Sequence, residues 1–263
     1  SPAAIVLGRT LVAALALWAL ALATRVPARP VPGLALNGAV LALHWVAFFA
    51  AIQASSVSVG LLGFSSFPLW TLLLERLAGE RRGRPRDWAI AALVVAGLVL
   101  TVPRFDWQDA SVRGLAWGVL SAMTFAWLAV RNRRFARSHP ARSIALWQNA
   151  FAALCLVPVV LLWPGAAAWP GAREVVLIVV LGVVCTALAH TLFVASLATV
   201  SAHTASVVAA LEPVYGIALA AWLLGERPTV GMVAGCALLV AAAVVASRGA
   251  GAPPGHAAGR MPG

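Results

Sequence analysis

Three ionisable side chains, Glu212, His44 and His190, lie in the middle of long apolar stretches of this 263-residue sequence. In a lipid bilayer an ionised carboxylate at such a depth costs at least ~2.5 kcal/mol, so Glu212 needs a partner or a proton. It could bind a cationic group of a small molecule or carry a proton. Alternatively, a protonated or hydrogen-bonded Glu212 could hold neighbouring helices together.

The two histidines are 146 positions apart, close to the spacing of the matched motifs described below. An imidazole can change its charge near neutral pH, so a pair of them could respond to protons inside a cavity. A single histidine on an apolar helix is also often a hydrogen-bonded core residue. We expect His44 and His190 to face one cavity, and both roles stay open.

Neutral amides and one arginine form a second set of candidates. Gln53, Gln148 and Asn149 could donate hydrogen bonds to a polar ligand, or could bond neighbouring helices. Arg9 lies in the first apolar stretch, close enough to its outer end for the guanidinium to reach the membrane surface. It could therefore recognise an anion, or it could extend along the helix towards water.

Two prolines, Pro68 and Pro213, lie inside two further apolar stretches. Each removes a backbone donor and frees the carbonyl four residues earlier, so both helices are predicted to bend there. Such discontinuities often line the substrate site of a carrier, although membrane helices also tolerate proline kinks in their packing. Trp70 and Tyr215 follow the prolines by two residues, and could stack on a ligand or pack in the core.

The elements that must position these residues are transmembrane helices. The sequence is 62% hydrophobic and only 10% charged, which is far outside the range of a soluble domain. Its apolar stretches approach the ~20 residues that cross the hydrocarbon core. They predict an all-α membrane protein with nine helices, at residues 3–24, 34–54, 57–77, 88–102, 114–130, 143–163, 174–197, 202–224 and 230–247. Residues 248–263 are predicted to be a disordered tail.

Arginine placement predicts the orientation, because cytoplasmic loops retain positive charge. Four arginines lie in one set of alternate loops: Arg104, Arg113, Arg173 and Arg227. Fourteen lie in the other set and in the tail: Arg25, Arg29, Arg76, Arg81, Arg82, Arg84, Arg86, Arg131, Arg133, Arg134, Arg137, Arg142, Arg248 and Arg260. We therefore expect a multi-pass protein of the cytoplasmic membrane with its C-terminus in the cytoplasm.

An internal repeat divides the sequence. Pro68 and Pro213 are 145 positions apart, and two Gly-Glu-Arg turns that begin at Gly79 and Gly225 are 146 apart. Five helices separate corresponding points, and an odd number means that the second unit enters the membrane from the opposite side. We predict inverted repeats over residues 1–103, with four helices, and 114–247, with five, joined by an external loop at 104–113.

The combined pattern resembles the drug/metabolite transporter superfamily, and specifically its EamA-type members. The resemblance is carried by Gln53-x-Ser-Ser-Val, Phe67-Pro68, Glu212-Pro213-Val and the two Gly-Glu-Arg turns. It implies a carrier of amino acids or other small metabolites, built from two inverted repeats of five helices. Arg9 resembles an arginine of that family's second helix, so one further helix is expected before Ser1.

Other classes of protein are less well supported. The sequence has no lysine and no GxxxxGK[ST] loop, which leaves an ion or solute gradient as the driving force. The sequence has no GxSxG or HExxH motif, so we do not expect an enzyme. Cys155, Cys185 and Cys236 lack the spacing of metal ligands, so we do not expect a bound metal. No basic surface pattern typical of nucleic-acid binding is present, so we do not expect a nucleic-acid partner.

The sequence therefore predicts a secondary carrier, most simply an exporter, that works without a cofactor by alternating access around a cavity at half depth. Its predicted partners are a small-molecule substrate and the lipid bilayer, and the sequence leaves a homodimer open. Two alternatives remain at this point: a redox subunit in which His44 and His190 bind haem, and a membrane protein that transports nothing.

Overall fold

The computed structural model describes residues 1–25, 29–31, 33–79, 84–100, 108–162, 171–209 and 211–247. In these ranges the regular structure is helical, and seven of the predicted spans are long and apolar enough to cross a membrane. The helices are α1 Pro2–Ala23, α2 Leu34–Ala54, α3 Val57–Phe64, α4 Phe67–Leu77, α5 Pro85–Leu100, α6 Ala110–Ala136, α7 Ala141–Leu162, α8 Ala172–Gly182, α9 Ala189–Ser196, α10 Ala202–Ala209, α11 Glu212–Leu224 and α12 Val230–Ser247, with a π-helical segment Val183–Leu188 between α8 and α9. The protein is an all-α membrane protein, as predicted.

Helix α6 differs most from its predicted bounds of 114–130. Asp109 caps its start by accepting a hydrogen bond from the Ser111 N–H at 2.7 Å, and the helix continues to Ala136 through the polar residues that follow Val130. The apolar residues end at the membrane boundary, whereas the helical hydrogen bonds continue beyond it. The helix predicted from the apolar stretch was therefore too short. The predicted ends at Val102 and Trp163, the predicted tail, and Arg81 lie outside the described residues.

The surface and the interior are inverted relative to a water-soluble protein. Large apolar side chains face outward, among them Leu162 at 82% exposure and Trp222 at 79%. Polar side chains lie inside, and Arg9, Asn37, His44, Gln148 and Asn149 are all almost completely buried. The outward apolar surface suits lipid, and the buried polar residues must find partners inside the bundle.

Two of the spans are broken helices. Helix α3 ends at Phe64 and α4 begins at Phe67, with Ser65 and Ser66 between them. The Ser66 hydroxyl donates to the Gly63 carbonyl at 2.8 Å and so satisfies one acceptor at the break. Pro68 lies in the first turn of α4, where a missing N–H costs nothing.

The second broken span repeats this geometry at an offset of 145 residues. The Ser66 and Leu211 N–H groups each donate to the carbonyl three residues earlier, both at 3.2 Å, and the Leu69 and Val214 N–H groups do the same at 3.0 and 3.1 Å. The prediction that Pro68 and Pro213 bend continuous helices is thus corrected. Each helix stops before its proline and restarts, because proline is tolerated at a helix start and not in an interior.

Two carboxylates join the ends of the broken helices. Gly225 has a left-handed backbone (φ 69°) that ends α11 and turns the chain. Glu226 then accepts hydrogen bonds from the Val57 N–H at 2.8 Å and the Ser58 hydroxyl at 2.6 Å, at the start of α3. At the other ends, Glu75 of α4 accepts from the His203 N–H of α10 at 3.3 Å. The two broken helices therefore run antiparallel.

Helices α3 and α6 cross so closely that side chains are excluded between them. A Cβ atom added at Gly63 would lie 2.8 Å from the Leu115 carbonyl oxygen and 2.9 Å from the Gly118 Cα. Small residues permit such contacts in membranes, where helices gain little from burying apolar surface and associate mainly by close packing. At this crossing the ring centroids of Phe64 and Phe125 are 5.8 Å apart, at the edge of the candidate site.

Candidate functional site

A cavity of about 200 Å³ lies among α2, α3, α6, α9 and the start of α11. Five aromatic side chains line it: Trp45, Phe48, Phe64, Phe125 and Phe193. The Phe125 and Phe193 ring centroids are 5.0 Å apart, and Phe48 meets Phe64 edge to face at 5.8 Å. The volume is below the ~300–1,000 Å³ of drug-sized sites, so the cavity suits a small ligand with an apolar part.

Glu212 brings a carboxylate to this cavity. It is the first residue of α11, because the helix break directly precedes it, and its side chain lines the cavity wall. Glu212 makes no hydrogen bond to any other described residue, so its oxygens are available to a ligand. A carboxylate beside aromatic faces is suited to a cationic group, which both can attract.

His44, on α2, also lines the cavity and is 1% exposed. Its Nδ1 is 2.9 Å from both the carbonyl oxygen and the hydroxyl of Ser121, and its ring stacks on Phe125 with 4.5 Å between centroids. Since Ser121 offers both an acceptor and a rotatable hydroxyl, either tautomer of His44 can be accommodated.

His190 also lines the cavity, on α9. Its Nε2 is 2.9 Å from the Gln148 side-chain oxygen on α7. The structure thus brings His44 and His190 to one cavity with Glu212, as we expected from their positions in the sequence. The role of these residues in function stays a prediction at this point.

Arg9 is buried beside the cavity, at 2% exposure. Its guanidinium lies 3.4 Å from the centroid of the Trp45 ring, and its Nε donates to the Thr186 hydroxyl at 2.9 Å. The interpretation in which Arg9 extends to the membrane surface is therefore wrong. The cation–π contact and the hydrogen bonds replace part of the hydration that a buried guanidinium loses.

The π-helical segment explains how α8 and α9 can bind Arg9. The Ala189 N–H bonds to the carbonyls of Val184 and Thr186 rather than to that of Cys185. The Cys185 carbonyl is therefore open to the guanidinium, whose Nη2 donates to it at 3.4 Å. Segments of π-helix are common at functional sites, and nothing in the apolar sequence around Cys185 indicated this one.

The remaining predicted site residues lie outside the cavity lining. Gln53 is exposed near the end of α2, and Tyr215 is 57% exposed on the outer face of α11. Trp70 packs against the aromatic core beside Phe67. Asn149 is fully buried, and its amide donates to the Ala145 carbonyl of its own helix at 2.8 Å. Pro68 and Pro213 mark the breaks that bound the site.

Sequence reasoning missed the aromatic lining. Trp45 and Phe48 share a face of α2, but Phe64, Phe125 and Phe193 come from three other helices and have no common motif. Their convergence depends on how the helices pack, which spacing along one helix cannot reveal. Among the described residues, no group of three or more His, Cys, Asp or Glu side chains is placed to hold a metal ion.

A bundle of apolar helices with two broken spans around an aromatic cavity that holds a carboxylate has the features of a membrane transporter. The chain belongs to the EamA-like transporter family, whose model matches residues 112–248, more than half of the sequence. It is thus a member of the drug/metabolite transporter superfamily and not an enzyme, as the resemblance implied. Its partners are a small-molecule substrate and the membrane.

Relatives from three organisms agree with this assignment. The pseudopaline exporter CntI of Pseudomonas aeruginosa (strain UCBPP-PA14) is 29% identical over 83% of this chain and 75% of its own. The uncharacterized transporter YwfM of Bacillus subtilis (strain 168) is 24% identical over 81% and 72%, and an uncharacterized transporter of Archaeoglobus fulgidus is 23% identical over 76% and 71%. A crystal structure matches 94% of this chain and 89% of its own with a TM-score of 0.74 and 24% identity, which shows a shared fold.

Proposed function

We propose that this chain is a secondary carrier that exports a small metabolite with a cationic group, such as an amino acid, across the cytoplasmic membrane. The observation that carries the proposal is the carboxylate of Glu212 at the wall of an aromatic cavity with two histidines. The aromatic faces accommodate an apolar part of the substrate, and Glu212 attracts its positive end. The export direction is supported by the function named for the CntI relative.

We propose alternating access as the mechanism. The cavity lies between two antiparallel broken helices whose ends are joined by carboxylates, Glu226 at one side and Glu75 at the other. Each junction consists of a few polar contacts, which can separate without unpacking the apolar core. Opening the Glu226 junction would expose the cavity to one side of the membrane, and opening the Glu75 junction would expose it to the other.

The proposed repeats are residues 1–103 and 114–247, each with one broken helix. The matched hydrogen bonds at both breaks, offset by 145 residues, support this division. The excess of arginine near the end of α4 and between α6 and α7 favours a cytoplasmic location for those ends. The Glu226 junction then lies at the external side, the Glu75 junction at the cytoplasmic side, and the C-terminus in the cytoplasm.

The direct test is counterflow in proteoliposomes that contain the purified protein. Vesicles loaded with a panel of unlabelled amino acids and other amines would be diluted into traces of the labelled compounds, with empty vesicles as control. We expect accumulation of at least one cationic or zwitterionic compound and none of its uncharged analogue. Failure of every panel member to accumulate, with a correctly folded protein, would contradict a carrier of this substrate class.

A further inference from the structure

A chain of buried amides connects the cavity to the end of α6. Arg131 Nε donates to Asn37 Oδ1 at 3.0 Å, and Asn37 Nδ2 donates to Asn132 Oδ1 at 3.0 Å. Asn132 and Gln148 then form a reciprocal pair, with Asn132 Nδ2 donating to Gln148 Oε1 at 3.3 Å and Gln148 Nε2 donating to Asn132 Oδ1. This series of hydrogen bonds ends at His190, whose Nε2 is 2.9 Å from Gln148 Oε1.

The direction of every bond in this chain follows from its first member. A guanidinium has donors and no acceptor, so the atom of Asn37 that faces Arg131 must be its oxygen. The Asn37 amino group therefore faces Asn132, which must present its own oxygen there. Turning over any single amide would bring two oxygens or two amino groups together, so the orientation at one end determines the orientation at the other.

The last bond consequently determines the state of His190. The oxygen of Gln148 accepts hydrogen bonds and cannot donate, so His190 must carry a hydrogen on Nε2. In the neutral ring the lone pair is then on Nδ1. The three amides are at most 1% exposed, so water does not offer them alternative partners.

We infer that Arg131, acting through Asn37, Asn132 and Gln148, is a positioning residue that keeps His190 in the Nε2–H tautomer. His190 lines the cavity together with Glu212, so in this tautomer its Nδ1 lone pair is the acceptor that it can offer to a ligand. It selects a substrate that carries an N–H or O–H donor, such as a primary ammonium, over a quaternary ammonium of the same charge. This selection rests on the proposed transport function, whereas the tautomer does not.

The tautomer can be measured without transport. Ring nitrogens of ¹⁵N-histidine-labelled protein have distinct NMR shifts when protonated and when not, and the His190 signals are assigned by their loss in His190→Gln. We expect wild-type His190 to be protonated on Nε2. In Asn37→Asp the new carboxylate keeps its bond to Arg131 but cannot donate to Asn132, so both following amides should turn over and His190 should be protonated on Nδ1 instead.

Two further variants separate this role from general disruption. Arg131→Leu frees Asn37 to turn, so His190 should show both tautomers. Arg137→Leu removes an exposed arginine directly after the same helix and should leave His190 as in the wild type. The His44 signals are an internal reference within each spectrum, because its partner Ser121 is not part of the amide chain. A wild-type His190 protonated on Nδ1, or an unchanged His190 signal in a folded Asn37→Asp protein, would overturn the inference.

The selection is tested by transport of an amine and its N-trimethyl analogue. We expect the wild type to favour the amine and Asn37→Asp to reduce that preference by about tenfold, the equivalent of one hydrogen bond. A tautomer that inverts with no change in preference would disprove the selection and leave the positioning role intact. A protein that transports neither compound but has the expected tautomer would contradict the proposed function alone.

Discussion

The two broken helices have the same backbone and different surroundings. In both, two residues separate the end of the first helix from a phenylalanine-proline or glutamate-proline pair, and the hydrogen bonds at the two breaks are matched. In the most apolar part of each span, however, 72% of the α3–α4 residues are buried but only 24% of the α10–α11 residues. Phe67, at 1% exposure in the aromatic core, corresponds to Glu212 at the cavity wall.

This difference indicates that the two matched spans have different roles. The α3–α4 span packs against α6 through glycine and buries most of its residues, whereas α10–α11 carries the charged group and buries few of its own. Segments with little buried contact open at low cost. We therefore expect α10–α11 to move during transport and α3–α4 to remain in place.

The largest effect should follow from removing the charge that distinguishes the two breaks. Glu212→Gln retains the shape of the side chain and removes its attraction for a cation, so we expect transport to fall by about 10–100-fold. Phe67→Leu, at the matching position, keeps the site uncharged and should retain most of the activity. Counterflow rates at equal amounts of folded protein would measure this, and a wild-type rate in Glu212→Gln would assign the residue to helix packing.

A second variant pair compares the packing of α3 and α10. Gly63 and Val208 are matched at the offset of 145, but Gly63 touches α6 while Val208 is 64% exposed. Gly63→Val should lower the free energy of unfolding by about 1–3 kcal/mol because α3 and α6 must separate. Val208→Ala should change it by less than about 0.5 kcal/mol. Thermal unfolding in detergent distinguishes these results, and similar losses in both variants would show that the two spans are equally packed.

The two carboxylate junctions should have opposite effects on access to the cavity. Glu226→Gln weakens the junction at the start of α3, and Glu75→Gln weakens the one at the start of α10. A cysteine introduced at Phe193, at the cavity wall, should react several-fold faster with an external membrane-impermeant reagent in Glu226→Gln, and more slowly in Glu75→Gln. Equal changes from both variants would argue against two separate gates.

The smallest expected effect is the pH dependence of the Glu226 junction. Burial alone would raise the pKa of Glu226, but hydrogen bonds from Ser58 and Val57 outweigh it and hold the pKa below its ordinary value. The junction is therefore fully formed above the ordinary glutamate pKa of about 4.3 and weakens as the pH falls through the lowered value. The same cysteine should become more reactive towards the reagent at that acidic pH, after correction for its own thiolate fraction. Glu226→Gln is the control, in which this acid-dependent rise should be absent.

The positions of the helices could be predicted from the sequence because lipid makes strong demands on composition. Helices α2 and α12 begin and end as predicted. An apolar stretch in lipid must satisfy its own backbone hydrogen bonds as a helix, and the polar residues or glycine at its ends mark the helix bounds. The break before Pro213 was anticipated as a bend, because proline removes a donor wherever it occurs. Its form as a stop and restart depends on local hydrogen bonds that the proline alone does not specify.

The site was predicted less completely, for a physical reason that Arg9 and Gln148 illustrate. A charged or amide side chain in an apolar helix must find a partner, but the sequence does not say which one. Arg9 could have reached water and instead lies on Trp45, beside a π-helical segment. Gln148 could have joined any neighbouring helix and instead links His190 to Asn132.

By itself the sequence determined that this protein lies in a membrane, that it contains a duplicated unit and that its few buried polar residues are exceptional, because each of these depends on composition and spacing along the chain. The tertiary structure alone decided which residues share the cavity, that α10–α11 buries few of its residues and that Arg131 is joined to His190 through the buried amides. These features depend on contacts between residues that are distant in the sequence, and such contacts form only when the helices pack.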